Sequence, residues 1–291
     1  MQTPDRKPPA GVVFDTSMES MDRVLGLAMV LAYNSKGEAR LTSLSISRNN
    51  LKIASFTDMM ARFLGTSPSI GMHEKGTAGT TVPPMMSTPL ARTNSEGKPV
   101  FNRVVEKLID TADPVALIRN GLTAQQDQNA VVILAGAPVN LLGLLALPAS
   151  KALIQKKVRG LVIAGPLEDA AGFTKLFAEW PGPIVVAGDE IGQALQFPGG
   201  AIETDFAWAA NHPVVDAYKA AKTMPYNTPA STMAAVLYAI QPQGNHFKLS
   251  EPQGRQRQLI VDDTQKERVI QIYREMASSK PPEPRRGGRG A

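Results

Sequence analysis

The segment spanning residues 11–32 constrains the fold of this chain more than any other stretch of its sequence. An apolar run from Val12 to Phe14 ends at an acid, Asp15, and a second acid, Asp22, follows seven residues later. Beyond Asp22, apolar residues recur with the i, i+3, i+4, i+7 spacing of one helix face. The segment therefore predicts a buried strand, a polar turn and an amphipathic helix, with both acids at the turn.

Strand and helix patterns alternate along the rest of the chain. Strands are predicted near residues 11–15, 41–47, 131–135, 158–164, 183–187 and 257–262. Helices are predicted near residues 20–34, 50–64, 100–109, 139–147, 169–178, 231–239 and 264–277. This order is typical of an α/β domain whose mostly parallel central sheet has helices on both faces. The polar segment 65–100, with Pro83-Pro84 and several glycines, is predicted to be a long loop.

Polar residues at the ends of the predicted strands are the candidate site residues. In open α/β sheets, ligands bind at the carboxyl ends of the strands. Asp15 and Asp22 lie at the first such end, with a turn cap and a helix-terminal charge as their structural alternatives. Arg48 and Asn50 follow the second strand, where Arg48 could pair with Asp15 or Asp22. Asn140 heads a predicted helix, so it is either a site residue or an N-cap.

Each remaining polar candidate has a structural alternative. Ser17 lacks an activating base in the local sequence, so a helix-cap role is predicted for it rather than a nucleophilic one. His73 lies in the predicted long loop, where it either reaches a ligand or is solvated. His212 precedes Pro213 and is predicted to cap a helix or to form a turn, and His246 is predicted to be structural. No H-x-x-x-H pair occurs, so a histidine metal site is not indicated.

The first turn, DTSMESMD, resembles the D-x-D-P-G-x-D-D-A motif of the inosine/uridine-preferring nucleoside hydrolases. In that family the acidic loop binds one Ca²⁺ and supplies the general base. Asp15 matches the first aspartate of the motif, and Asp22 matches the last. Ser17 stands where the family has the aspartate that ligates calcium and activates water. Met21 stands where it has the aspartate that binds the ribose hydroxyls, and Glu19 replaces the glycine.

Other segments extend the resemblance over roughly residues 11–278. AVVILAGAPVNLLGLLAL resembles the family's strand and G-P-L-T-N helix start, with Asn140 at the Asn and Val139 at the calcium-binding Thr. SISRNN resembles the second-strand loop and places Asn50 at an asparagine near the substrate. TPASTMAAVLYAI resembles the helix of the last calcium aspartate and places Thr232 there. HFKLSEPQGRQRQLIVDD resembles the closing segment of one bacterial branch.

The resemblance implies a nucleoside hydrolase-like α/β fold and hydrolysis of the N-glycosidic bond of ribonucleosides. Because Ser17 and Thr232 replace two acids, we expect this activity to be weak or lost. The alternative is a non-catalytic protein that keeps the pocket and binds a nucleoside or sugar. Family members are commonly dimers or tetramers, so a homo-oligomer is expected.

The candidate residues divide between substrate and metal. Those expected on the substrate side are Asp15, Arg48, Asn50, His73 and Asn140. Those left to hold calcium are Glu19, Asp22 and Val139. Since Ca²⁺ takes six to eight oxygen ligands, with carboxylates prominent among them, calcium binding is expected to be impaired.

Composition separates the terminal segments from the body of the chain. The net charge is +5, and the tail from Ser278 contributes three of these charges. The weakly charged body does not indicate nucleic-acid binding, and no apolar run is long enough to span a membrane. Residues 1–10 and 279–291 are predicted to be disordered, leaving one domain at 11–278. QTPDRKPPA resembles residues left by signal-peptide cleavage, so periplasmic, secreted and cytoplasmic locations all stay open.

Overall fold

A central sheet of eight strands organises the part of the chain that the computed structural model describes, residues 8–77 and 81–282. The strands are β1 (Ala10–Thr16), β2 (Ala39–Arg48), β3 (Ile70–Thr77), β4 (Ala130–Ala135), β5 (Val158–Ala164), β6 (Ile184–Ala187), β7 (Lys248–Leu249) and β8 (Gln256–Ile260). Their order in the sheet is β3-β2-β1-β4-β5-β6-β8-β7. Every neighbouring pair is parallel except β7 with β8. The predicted mostly parallel α/β sheet is therefore confirmed.

Helices cover both faces of this sheet. Within the described residues they are α1 (Met21–Ser35), α2 (Leu51–Phe63), α3 (Pro84–Ala91), α4 (Pro114–Thr123), α5 (Val139–Ala146), α6 (Ser150–Lys157), α7 (Ala170–Glu179), α8 (Asp189–Ala194), α9 (Ala201–Asp205), α10 (Pro213–Ala221), α11 (Ser231–Ile240) and α12 (Asp263–Ala277). Val12 and Phe14 belong to the core that includes α1, α2 and α11, whereas Val13 belongs to the core under α4 to α7. Alternate side chains of β1 are thus buried on opposite faces of the sheet, as expected for a parallel strand.

The segment 65–100 is not the long loop that its composition predicts. It contains β3, which pairs with β2 at the edge of the sheet, and helix α3. Pro83 and Pro84, which suggested a loop, are the N-cap and the first residue of α3. Proline suits the first turn of a helix because the amide that it lacks would have no intrahelical partner there.

The helix predicted at residues 100–109 is also wrong. The amides of Val104 and Val105 donate to Asp58 Oδ2 on α2, at 2.6 and 3.1 Å. Ser55, also on α2, donates its hydroxyl to the carbonyl oxygen of Val105. These contacts satisfy the backbone of the segment without helical hydrogen bonds, and only a 3-10 turn forms, at Leu108–Asp110.

Asp58→Ala should destabilise the protein by about 3 kcal/mol, because it leaves the buried amide of Val105 and the half-buried amide of Val104 without an acceptor. Asp58 is 1% exposed and also accepts from Arg62 Nε at 2.9 Å. The matched control is Asp113→Ala, which removes the exposed N-cap of α4 and should cost about 1 kcal/mol. Urea unfolding measures both values. Equal losses in the two variants would contradict the role assigned to Asp58.

The start of α10 and the carboxyl end of the described chain are each held by a side-chain hydrogen bond. His212 caps α10 and accepts from Val214 N at 3.2 Å, which confirms its predicted role. At the carboxyl end, Trp208 Nε1 donates to Ser278 O at 2.8 Å. The predicted disordered segments lie largely at residues 1–7 and 283–291, outside the described residues. No helix in the described part of the chain is long and apolar enough to cross a membrane.

Candidate functional site

Asp15 and Asn140 form a buried polar pair at the carboxyl edge of the sheet. Asp15 lies near the end of β1 and its Oδ2 accepts from Ser45 Oγ at 2.5 Å and from Asn140 Nδ2 at 2.8 Å. Asn140 Nδ2 also lies 3.2 Å from the carbonyl oxygen of Ile46. The N-cap alternative for Asn140 is wrong, since Pro138 is the N-cap of α5. The structure therefore brings together two residues that the sequence predicted as site residues.

The carboxyl group of Asp15 is not a fixed negative charge. Burial raises the pKa of Asp15 to about 7, although the hydrogen bonds from Ser45 and Asn140 act to lower it. Burial disfavours the ionised form because the surrounding protein solvates a carboxylate less well than water does. Near neutral pH, Asp15 is therefore only partly ionised.

Asp22 binds the first turn of another helix. It is the second residue of α1, and its Oδ2 accepts from the amide of Thr232 at 2.7 Å. Its Oδ1 accepts from the amide of Met233 at 3.3 Å. Burial raises the pKa of Asp22 to about 6, and the bonds from Thr232 and Met233 act to lower it. Asp22 thus joins α1 to the amino end of α11, beside the residue that the sequence aligned with the last calcium aspartate.

Arg23 is the residue that the sequence analysis missed. Its Nη1 donates to Ser17 Oγ at 2.6 Å, and its Nη2 donates to Glu168 Oε1 at 2.8 Å. The Arg23 side chain is only 3% exposed. The predicted cap role of Ser17 is wrong, because the N-cap of α1 is Ser20. A signal was available: a cation in the first turn of a helix opposes the helix dipole and needs a specific reason.

Arg48 extends this cluster, with different partners from those predicted. Its Nη2 lies 2.6 Å from Glu19 Oε2 and 3.1 Å from Glu168 Oε2. The predicted pairing with Asp15 or Asp22 is wrong, because Ser45, Asn140 and the amides of α11 already surround those two carboxylates. Glu168 joins both arginines, so Arg23, Glu168, Arg48 and Glu19 form one chain of alternating charges, called here the arginine network.

The other predicted residues lie at the margins of this arrangement. Asn50 caps α2 and accepts from Lys52 N at 3.0 Å. Val139 begins α5 and is half-buried. His73 lies on β3, and its side chain is outside the described residues. Among the residues that the structure describes, no group of three or more His, Cys, Asp or Glu side chains could hold a metal ion.

A cavity of about 430 Å³ opens beside the arginine network. Glu19 and Met21 form one wall, Pro84 at the start of α3 forms another, and the segment after α10 completes it with Lys222 and Tyr226. The sequence analysis did not predict this last wall, because residues 221–227 belong to none of the segments that carry the resemblance. The cavity is large enough for a nucleoside, since small-molecule sites measure about 300–1,000 Å³.

Comparison with known proteins identifies the fold. No protein-family model matches the sequence, and no curated protein sequence matches it. A plant nucleoside hydrolase superposes with a TM-score of 0.68 at 13% identity, covering 94% of this chain and 100% of its own. An inosine-uridine preferring nucleoside hydrolase from Bacillus anthracis gives 0.63 at 12% identity, covering 92% and 99%. This chain has a nucleoside hydrolase-like fold.

The same fold also occurs in a protein that is described as an effector rather than as a hydrolase. The type III effector protein XopQ, complexed with adenosine diphosphate ribose, superposes with a TM-score of 0.63 at 14% identity over 94% of both chains. Because these identities are low, the likeness shows the architecture and not a substrate, a metal or the bacterial branch suggested by the closing segment. Within the nucleoside hydrolase-like fold, Arg23 stands where the quoted motif has alanine.

Proposed function

We propose that this protein binds a ribonucleoside, or a related ribosyl compound, at the carboxyl edge of the sheet without hydrolysing its N-glycosidic bond. The fold supports this proposal, because the structures that share it include nucleoside hydrolases and a protein complexed with adenosine diphosphate ribose. The cavity beside Glu19 and Met21 supplies a site of suitable size at the edge where α/β proteins bind ligands.

The contact between Arg23 and Ser17 carries the proposal. By resemblance, position 17 belongs to the aspartate that ligates calcium and activates water, whereas here its hydroxyl accepts from a guanidinium at 2.6 Å. A fixed positive charge repels a divalent cation, most strongly where little water screens it. The nearby acids already have other partners: Glu168 is paired with Arg23 at 2.8 Å, and Asp22 accepts from the amides of Thr232 and Met233. The residues present therefore do not fit a calcium ion.

Loss of hydrolysis follows from the same contacts. Ser17 has no base beside it in the hydrogen-bond network, and Glu19 in the cavity wall is held by Arg48 Nε at 2.7 Å. Removing a positioned general base typically lowers a rate by about 10²–10⁴. Losing a metal that activates water and orients the sugar costs several kcal/mol more in activation free energy, although the two losses are not additive.

Calorimetric titration with inosine and uridine, paired with an assay for the released base, tests the proposal. We expect binding that is unchanged by EDTA and no detectable turnover. Ala221→Trp, at an exposed position in the cavity wall, should block binding. The control is Ala152→Trp, at an exposed position on α6, and it should bind like the wild type. Calcium-dependent turnover by the wild type, or no binding of either nucleoside, would overturn the proposal.

A further inference from the structure

We propose that the cavity takes a phosphorylated ribonucleoside in preference to the neutral nucleoside, and that Lys222 binds the phosphate. This inference rests on the proposed function and names the ligand class of the same site. Its basis is the positive charge of Lys222 in the cavity wall, which a neutral sugar and base would leave without an anionic partner.

Lys222 supplies a positive charge that the described residues do not neutralise. It follows α10 directly, is exposed, and lines the cavity. Within the described part of the chain it forms no ion pair. Lys219, three residues earlier, provides the contrast, because its Nζ lies 2.7 Å from Glu203 Oε1. Lys222 is thus free to meet an anion, whereas Lys219 is not.

Glu19, the acid in the cavity wall, does not cancel the charge of Lys222. Glu19 Oε2 is bound by Arg48 Nη2 at 2.6 Å, so its charge is offset within the arginine network. That network contains two arginines and two glutamates and is balanced overall. Of the two charged side chains that line the cavity, Glu19 is thus paired with Arg48, whereas Lys222 has no ion-pair partner among the described residues, which favours an anionic group on the ligand.

A rigid aromatic pair holds Lys222 at the cavity wall. Its Nζ lies 5.7 Å from the ring centroid of Tyr226, a distance typical of a cation–π contact. The Tyr226 ring stacks on Tyr218, with centroids 4.2 Å apart. Each hydroxyl donates to the carbonyl oxygen of the other tyrosine, at 2.7 and 2.8 Å. Because the ring is held by these contacts, it gives the exposed ammonium group of Lys222 a fixed neighbour beside the cavity.

The remaining wall suits the base and sugar of the same ligand. Met21 and Met85 present apolar side chains, and Pro84 adds an apolar ring to the lining. Methionine adapts its shape to an aromatic ring and makes favourable sulfur–aromatic contacts. The cavity therefore combines an apolar surface with one cation, the combination that a nucleoside monophosphate requires and a free phosphate does not.

Titration calorimetry with inosine and inosine 5′-monophosphate, on the whole 291-residue chain, tests this inference. We expect the wild type to bind the monophosphate at least about tenfold more tightly, as for one charge-assisted contact. Lys222→Met should reduce the preference to less than about twofold, because it should weaken binding of the monophosphate much more than binding of inosine. Lys219→Met is the matched control and should retain the full preference. Added salt should weaken binding of the monophosphate more than binding of inosine.

The outcomes separate the two proposals. Equal affinity of the wild type for both compounds overturns the inference but leaves the proposed function standing. A preference that survives Lys222→Met overturns the role of Lys222. If neither compound binds, the proposed function and this inference both fail. Unfolding midpoints of the two lysine variants should match the wild type, because neither side chain is buried.

Discussion

Rebuilding the acidic motif through Ser17→Asp, Met21→Asp and Thr232→Asp should not restore calcium binding, whereas adding Arg23→Ala should restore it. In the triple variant the new carboxylate at position 17 would lie beside the Arg23 guanidinium, which is 2.6 Å from the present hydroxyl. That carboxylate would then form an ion pair rather than a metal site. Removing Arg23 frees it and eliminates the repulsion of the dication.

The four-residue variant should also be less stable than the wild type without metal. The carboxylate introduced at position 232 lies next to Asp22, which accepts from the amide of that residue at 2.7 Å. Like charges at this distance oppose folding, and a bound dication relieves the repulsion. Calcium at a hundredfold excess over its dissociation constant should therefore stabilise this variant by about 2.7 kcal/mol.

Calorimetry and thermal unfolding, each with and without calcium, measure these effects. The control adds Arg48→Ala in place of Arg23→Ala to the triple variant. Arg48 also binds Glu168 but has no contact with Ser17 among its hydrogen bonds, so this control should stay without calcium binding. Calcium binding by the triple variant itself would show that Arg23 does not block the site. Turnover of inosine is expected only in the variant that binds calcium.

Asp15→Asn should remove a loss of stability that the wild type suffers as the pH rises from about 4 to 7. Burial raises the pKa of Asp15 to about 7 from its ordinary 3.8. Within this range the unfolded chain has lost the proton while the folded chain retains it. Because the folded state binds more protons here than the unfolded state, the contribution of Asp15 to the free energy of unfolding falls as the pH rises.

Two other buried groups modify this slope in the wild type. Burial raises the pKa of Asp22 to about 6, so it contributes with the same sign up to that pH. Burial lowers the pKa of His212 to about 3. Between about pH 3 and 6.5 the His212 ring is therefore protonated in the unfolded chain and neutral in the folded one. Its contribution therefore increases from about pH 3 to the ordinary histidine value of 6.5. The two effects oppose each other, and only a variant of one group separates them.

Urea unfolding of Asp15→Asn and wild type at pH 4, 5, 6 and 7 measures the difference. The variant should gain stability relative to the wild type by up to about 4 kcal/mol across this range, since each unit of pKa shift corresponds to about 1.4 kcal/mol. Asp263→Asn is the control, because Lys266 holds the pKa of this exposed carboxyl below its ordinary value and outside the range. Parallel stability curves for wild type and Asp15→Asn would contradict the raised pKa.

Local sequence patterns predicted most of the sheet and the edge of it at which Asp15 and Asn140 lie. The period of apolar residues identifies β1 and α1 because both elements bury a regular side-chain pattern. Since parallel strands align their carboxyl ends, Asp15 and Asn140 could be assigned to one edge without a structure. The pattern failed at residues 100–109, where Asp58, 46 positions before Val104 in sequence, takes the amides that a helix would use.

The sequence by itself thus determined the α/β architecture and the position of the acids at the edge of the sheet. Only the tertiary structure decided which charges neutralise one another there. Glu168 lies 145 residues from Arg23 and 120 from Arg48, yet it joins both. Secondary structure follows from short-range periodicity in the sequence. An ion network depends instead on which loops, distant in sequence, the folded sheet brings close together. For that reason the sequence placed Ser17 in the turn after the first strand, and only the fold showed Arg23 bound to it.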